Sequence, residues 1–242
     1  MSPIDIRIIP TLFDNYVFVI HDPEANVTVC IDPGDDPIIA DTVKKWGWAI
    51  THILVTHPHY DHVDGIADLV DEFNCEVYGS HHDYGVIPRC DFRLQEDEVV
   101  TLGSLKFKVI DVPGHMRHHI AYYLKSEDAL FSGDTLFSMG CGRLLGGTAA
   151  QLYQSLKTLS QLPEQTKIYC THEYTQANAK FALSVDPHNE ALKARARDVD
   201  QMRQDGEFTI PVLLGLELKT NPFLRCDSEQ EFAALRRQKD NF

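Results

Sequence analysis

Ile53-Leu54-Val55-Thr56-His57-Pro58-His59-Tyr60-Asp61-His62 sets an apolar run against three imidazoles and a carboxylate. The four polar groups occupy positions i, i+2, i+4 and i+5. No single helix face or strand face gathers those positions, and Pro58 is unsuited to a helix interior. A loop leaving the end of a buried strand can gather them, and it then crowds four metal-ligand groups into a small volume. Neutral imidazole with ionised carboxylate suits zinc, iron or manganese, and the lack of a thiolate argues against a closed cysteine-rich structural site. A surface loop that is merely histidine-rich would not need this ligand density.

The bulk properties set limits around that loop. The chain has 242 residues, 43% hydrophobic and 24% charged, which is enough for one large domain or a domain with an appendage. No apolar run approaches a transmembrane length. The start, Met1-Ser2-Pro3-Ile4-Asp5-Ile6-Arg7, lacks a basic region followed by an apolar segment, so no signal peptide is expected. Six cysteines (30, 75, 90, 141, 170 and 226) include no CxxC pair and read as reduced thiols of a cytoplasmic protein. A net charge of −14 disfavours nucleic acid as partner. No membrane association or obligate protein partner is expected. A small anionic substrate would need a local cluster of Arg and Lys.

Alternating apolar runs between turn residues predict strands over 4–10, 16–20 and 27–31, and shorter ones over 76–78, 105–112, 119–124, 129–132 and 167–170. Helical spacing predicts helices over 36–46 (Ile38, Ile39, Val43 and Trp46 on one side), 64–73 and 149–162 (Leu152, Leu156, Leu159). From 175 to 203 the chain is Ala-rich and helical, broken at Asp186-Pro187-His188, and a charged helix over 229–239 ends it. The expected division is an α/β catalytic domain over 1–173 and a helical domain over 174–242.

Three further ligand candidates stand where an apolar strand gives way to a loop: His115 in Val112-Pro113-Gly114-His115, Asp134 in Phe131-Ser132-Gly133-Asp134-Thr135, and His172 in Cys170-Thr171-His172-Glu173. Side chains at strand ends of a layered sheet converge on one edge. Taken singly, each is a structural histidine or a turn. Jointly they complete a stoichiometry: with the loop they make seven ligands, enough for two metals if one carboxylate bridges. An Asp can bridge through its two oxygens, whereas one imidazole nitrogen cannot serve two ions. Asp134 is the natural bridge.

THPHYDH, PGH, GDT and CTHEY, in this order, resemble the metallo-β-lactamase superfamily. Phe131–Phe137, Gly140-Cys141-Gly142-Arg143, Gly147-Thr148, Thr171–Thr175, Asn221-Pro222-Phe223-Leu224-Arg225 and Leu235-Arg236-Arg237-Gln238-Lys239-Asp240 narrow the resemblance to the hydroxyacylglutathione hydrolases of the glyoxalase pathway. The resemblance runs essentially end to end. The metal loop alone identifies only the superfamily, and the GCGR segment with the RRxK tail is more specific. It implies an αββα sandwich of the α/β class with a smaller helical C-terminal domain. It assigns His57, His59 and His115 to one metal, Asp61, His62 and His172 to the other, and Asp134 to both. The implied cofactor is two divalent ions, zinc first, with iron or manganese also matching the ligands. The implied partner is a glutathione thioester, held near Arg143 and Tyr174 and by Arg236 and Lys239, which lie one helical turn apart.

The chemistry follows from the donors. A divalent metal lowers the pKa of water from about 15.7 to about 7, and two ions share the resulting hydroxide while polarising the scissile carbonyl. The acyl group comes from the resemblance alone, which implies conversion of S-D-lactoylglutathione to D-lactate and glutathione. A thiol of pKa about 8.5 needs little acid catalysis to leave. Asp61 and Asp134 are the catalytic candidates, with Asp61 a ligand that could also orient the hydroxide or take its proton. Asp32, before Pro33-Gly34, braces the metal loop or makes a turn. Departures from the family pattern stand at Leu144-Leu145-Gly146, where an aromatic and an acidic residue are usual, and at His118, where Gly is usual. Rival readings are a mononuclear-iron persulfide dioxygenase, a non-catalytic metal or thiol-carrier binding protein, a nuclease and a β-lactam hydrolase. The charge and the absence of an inserted domain oppose the nuclease, and the lack of an export signal opposes the lactamase.

Overall fold

The computed structural model describes residues 3–34, 37–83 and 85–242. Its contacts divide the chain into two compact units. The first holds the residues up to Asp111 together with Ile120–Glu127, and the second holds Val112–His119 and Asp128–Phe242.

The first unit opens with strands β1 (Asp5–Thr11), β2 (Asn15–Asp22) and β3 (Val27–Ile31), paired antiparallel. β2 is buried at every position, which suits its run of Val, Phe and Ile. Helix α1 (Ile38–Lys45) crosses over to β4 (His52–Leu54), which lies parallel to β3. A single helical turn, α2 (Tyr60–Val63), and helix α3 (Ile66–Phe73) lead to β5 (Glu76–Ser80), parallel to β4, and β6 (Phe92–Leu94) follows parallel to β5. The six strands form one sheet in sequence order. Ile9, Val17, Val19, Cys30, Ile53 and Val77 from the strands, with Val55 just beyond β4, pack with Ile39, Val43, Ile66 and Leu69 from the helices. Burying one such side chain contributes about 1.5–3 kcal/mol. Strands β7 (Val99–Leu102), β8 (Leu105–Asp111) and β9 (Ile120–Leu124) form an antiparallel trio. β4 thus delivers Thr56 and the residues after it beyond the carboxyl end of a parallel strand, where loops are free to build a site.

In the second unit β10 (Ala129–Gly133) is followed by a small hairpin of β11 (Leu136–Phe137) and β12 (Gly140–Cys141). Helix α4 (Ala149–Leu159) begins with a capping box, in which Thr148 and Gln151 satisfy each other's backbone N–H. β13 (Lys167–Cys170) lies parallel to β10. The rest is mainly helical: α5 (Thr175–Val185), α6 (Glu190–Gln204), the short β14 (Val212–Leu213) antiparallel to β13, then α7 (Leu214–Thr220) and α8 (Glu229–Asp240). Ala179, Ala182, Leu192, Ala196 and Val199 of the α5–α6 pair close around Met139.

Three expectations change in detail. Helix α1 buries Ile39, Ala40 and Val43, while Ile38 is 44% exposed and Trp46 is the C-cap; Asp36 lies outside the described residues. The expected helix over 64–73 starts at Ile66, and α2 precedes it, so Asp61 and His62 stand on a helical turn rather than an open loop. β6, β7, β11, β12, β14 and α7 were not expected, because stretches of two to seven residues carry too little periodicity to register.

Candidate metal centre

In the first unit the histidine segment is organised by Asp32. This residue is 1% exposed and sits at φ 51°, a left-handed conformation that Asp tolerates better than most side chains. Its N–H donates to the carbonyl of Leu54 (3.1 Å), fixing it at the end of β3. Its carboxylate accepts from the Thr56 N–H (2.7 Å), the Thr56 hydroxyl (2.6 Å) and Nδ1 of His62 (2.9 Å). The last bond puts the proton of neutral His62 on Nδ1 and leaves Nε2 with its lone pair. The Thr56 hydroxyl, having given its proton to Asp32, accepts from Nδ1 of His57 (3.1 Å), so Nε2 of His57 is likewise the basic nitrogen. One buried carboxylate thus sets the tautomers of two candidate ligands.

Nε2 of His57 faces Nδ1 of His59 at 2.8 Å, and the rings of His57 and His62 stand 4.0 Å apart. Two ring nitrogens that close either share a proton or face a common cation. Asp61 accepts from Nδ2 of Asn15 at its side chain (3.1 Å) and at its backbone carbonyl (3.3 Å), and its Oδ2 lies 3.7 Å from Nε2 of His62. Gly34 lets the turn close on this segment, since a Cβ there would meet the Asp61 carbonyl at 2.6 Å.

In the second unit Nδ1 of His115 donates to the carbonyl of Arg143 (2.9 Å), which leaves Nε2 basic, 3.5 Å from Oδ2 of Asp134. The other oxygen of Asp134, Oδ1, lies 3.3 Å from Nε2 of His172. Nitrogen and oxygen ligands at tetrahedral positions about 2.0–2.1 Å from an ion are about 3.4 Å apart. Each oxygen of Asp134 therefore stands at a ligand-to-ligand distance from a different histidine. The donor set of imidazole and carboxylate with fixed tautomers fits divalent metal ions.

Several neighbours of the ligands carried no sequence signal of their own. Nε2 of the fully buried His119 accepts from the Asp134 N–H (3.0 Å), so its proton resides on Nδ1. Asn15 and Thr56 were also missed; a single Asn or Thr has no pattern, although Thr56 stands inside the decisive segment. The His172 ring stacks on Tyr174 at 4.9 Å and 6°, and Phe137 meets both rings edge-on, at 6.0 and 5.5 Å. His118 is half-buried and Leu145 is 61% exposed, while the Leu145 N–H donates to the His115 carbonyl (2.9 Å).

The basic residues divide into two kinds. Arg143 is exposed and Tyr174 is 38% exposed at the start of α5. Arg236, expected as a carboxylate clamp, is only 3% exposed. It donates from Nη1 to the carbonyls of Cys141 (2.9 Å) and Gly142 (3.4 Å), from Nε and Nη2 to Asp240 (3.1 and 2.8 Å), and lies over Phe223. Its guanidinium is occupied in holding the segment that carries Arg143. Lys239 donates to the carbonyl of Ala177 (3.2 Å) above the Phe181 ring. Burial, then the positive charges of Arg236 and Arg143, hold its ammonium below the ordinary lysine range. The three cations therefore share one field.

The comparisons with known proteins bear on both units. A family model described as "Hydroxyacylglutathione hydrolase C-terminus" matches residues 173–242, and one described as "Metallo-beta-lactamase superfamily" matches residues 10–172. A hydroxyacylglutathione hydrolase of Rhodopseudomonas palustris is 47% identical, over 96% of this chain and 91% of its own length. One of Methylococcus capsulatus is 42% identical, over 99% of each chain. Among solved structures, ETHE1 from Myxococcus xanthus matches with a TM-score of 0.75 at 25% identity, covering 96% of this chain and 90% of its own. TTHA1623, solved in a di-iron-bound form, matches at 0.65 and 26%, covering 90% of this chain and 99% of its own.

Proposed function

The chain belongs to the hydroxyacylglutathione hydrolases, hydrolases of the metallo-β-lactamase superfamily, and from this we propose that it hydrolyses S-(2-hydroxyacyl)glutathione thioesters, S-D-lactoylglutathione to D-lactate and glutathione, at a centre of two divalent metal ions. The observation that carries the reading is Asp134, whose two oxygens face two different histidines at ligand spacing. His57, His59 and His115 would hold one ion, Asp61, His62 and His172 the other, and Asp134 both. Zinc heads the candidates, and iron and manganese suit the same donors. Bound there, such ions lower the pKa of water to about 7 and polarise a carbonyl.

The chain's own residues do the rest. Asp32 and Thr56 hold His57 and His62 in the ligating tautomer, and Asn15 fixes the carboxylate of Asp61, which orients the attacking water. The two carboxylates of glutathione match the field of Arg143 and Lys239, and Tyr174 offers an exposed ring beside His172. Arg236 contributes through the segment it supports. Residues 1–173 would carry the metal chemistry and 174–242 the thiol carrier, in a reducing, cytoplasmic setting that suits six free thiols.

Metal analysis coupled to S-D-lactoylglutathione hydrolysis tests the reading. Wild type should hold two ions per chain and turn the thioester over, and Asp134→Ala should lose more than about a hundredfold in rate, beyond the range of an outer neighbour. One ion per chain with no thioesterase activity would sink the proposal and favour the persulfide dioxygenase.

A further inference from the structure

Glu217 on α7 is fully buried, and its partners reach into the hairpin of β11 and β12. Its Oε2 accepts from the Met139 N–H (2.9 Å) and from Nδ2 of Asn221 (2.9 Å), and its Oε1 pairs with Nη2 of Arg195. Arg195, 6% exposed on α6, also donates to the hydroxyls of Ser138 (2.8 Å) and Thr220 (2.5 Å). The Asn221 amide that bonds Glu217 also reaches the carbonyls of Phe137 (3.2 Å) and Gly140 (3.0 Å), and Asn178 donates to the carbonyl of Ser138 (3.0 Å). Each residue from Phe137 to Gly140 therefore has a polar group held by the C-terminal segment.

The hairpin needs holding. Met139 sits at φ 53° with no exposed surface, and a non-glycine residue persists in that conformation only where its surroundings over-determine it. A buried ion pair adds little net stability compared with an apolar replacement. Its consequence here is geometric, since it fixes where the hairpin lies. Phe137 meets the rings of His172 and Tyr174 edge-on, and beyond the hairpin the Gly142 N–H returns to the carbonyl of Thr135, next to Asp134 (3.2 Å).

We propose that Glu217 and Arg195 are positioning residues, which set the hairpin over 137–140 and, through Phe137, the ring planes of His172 and Tyr174. The inference rests on the hydrolase reading for its kinetic consequence only. The substitution Glu217→Gln keeps the shape of the side chain and removes its charge. On the metal-loaded full chain two quantities are read: amide hydrogen exchange across 134–143, and kcat and KM for S-D-lactoylglutathione.

Exchange at 137–140 should quicken about tenfold, and KM should rise about tenfold with kcat changing less than about threefold, because Tyr174 has the exposed ring. Phe137→Leu should raise KM similarly, and combining it with Glu217→Gln should add little, since both act through one ring. A role in stability alone would lower the folded fraction and leave KM per loaded molecule unchanged. Unaltered exchange, or faster exchange with unaltered KM, overturns the proposal. Should Glu217→Gln fail to fold, Glu217→Gln with Arg195→Met removes both charges and carries the same expectations. A wild type without thioesterase activity would sink the hydrolase reading instead, and the exchange measurement would still decide whether Glu217 holds the hairpin.

Discussion

Asp32 shows how much one side chain can decide. Its carboxylate accepts three hydrogen bonds, and through two of them it dictates which nitrogen of His57 and of His62 is basic. Asp32→Asn should therefore be more harmful than its size suggests. The amide would present N–H to Nδ1 of His62, move the ring proton to Nε2 and take away a ligand lone pair. Metal affinity should drop about 10–100-fold, read by competition with a chelator, while Asp32→Glu should do less. Equal affinity in Asp32→Asn and wild type would refute the tautomer argument. Thiol chemistry gives a second expectation at this scale. Burial pushes the thiols of Cys75 and Cys141 up to about 11 and those of Cys170 and Cys226 up to about 12. At pH 8 the native chain should react slowly with iodoacetamide, with the half-exposed Cys90 modified first. Rapid labelling of Cys170 would contradict this.

Among the elements, the segment 134–143 and helix α4 respond to different things. A Cβ on Gly142 would lie 2.0 Å from the Asp134 carbonyl and 3.0 Å from Cβ of His115, so Gly142→Ala must displace a ligand-bearing backbone. Thr148→Ala removes a cap and costs about 1 kcal/mol, or about 2–4 °C in Tm for a chain of this size. The pair makes a control: Gly142→Ala should lose metal and activity, and Thr148→Ala should lose only Tm. Loss of metal in both would mean that α4 matters to the site as much as the hairpin does. This contrast also marks where sequence reading works. The candidate ligands stand out because imidazole and carboxylate at strand ends have few other reasons to cluster, and long periodic stretches such as α4 and α6 are readable for a similar reason. The two-residue strands β11 and β12 and the seven-residue α7 have no period to read. The surroundings of Arg236 were not legible, because RRxK looks the same whether its first arginine faces solvent or two backbone carbonyls. His119 sits beside a ligand, yet nothing in the string of letters tells that it is buried.

Across the whole molecule, a net charge of −14 opposes a substrate with two carboxylates, while Arg143, Arg236 and Lys239 supply a local field of the opposite sign. The two effects separate by range. Raising ionic strength from 0.01 to 0.15 M shortens the screening length from about 30 Å to about 8 Å, which removes the distant repulsion and weakens the local attraction of exposed groups. If the basic cluster receives the carboxylates, KM should rise with salt while kcat stays level. If the overall charge dominates, KM should fall. The pH dependence isolates Lys239. Burial and two neighbouring cations lower its pKa, so if binding uses its ammonium, deprotonation on rising pH removes the attraction. KM should therefore climb on the alkaline side, starting below the ordinary lysine value of about 10.4. Lys239→Arg, whose side chain stays charged, should shift that climb to higher pH or abolish it, and Lys239→Ala should raise KM below the climb, meet the wild type above it, and flatten the salt response. A KM indifferent to salt and to both substitutions would mean that the carboxylates of the thiol carrier bind elsewhere.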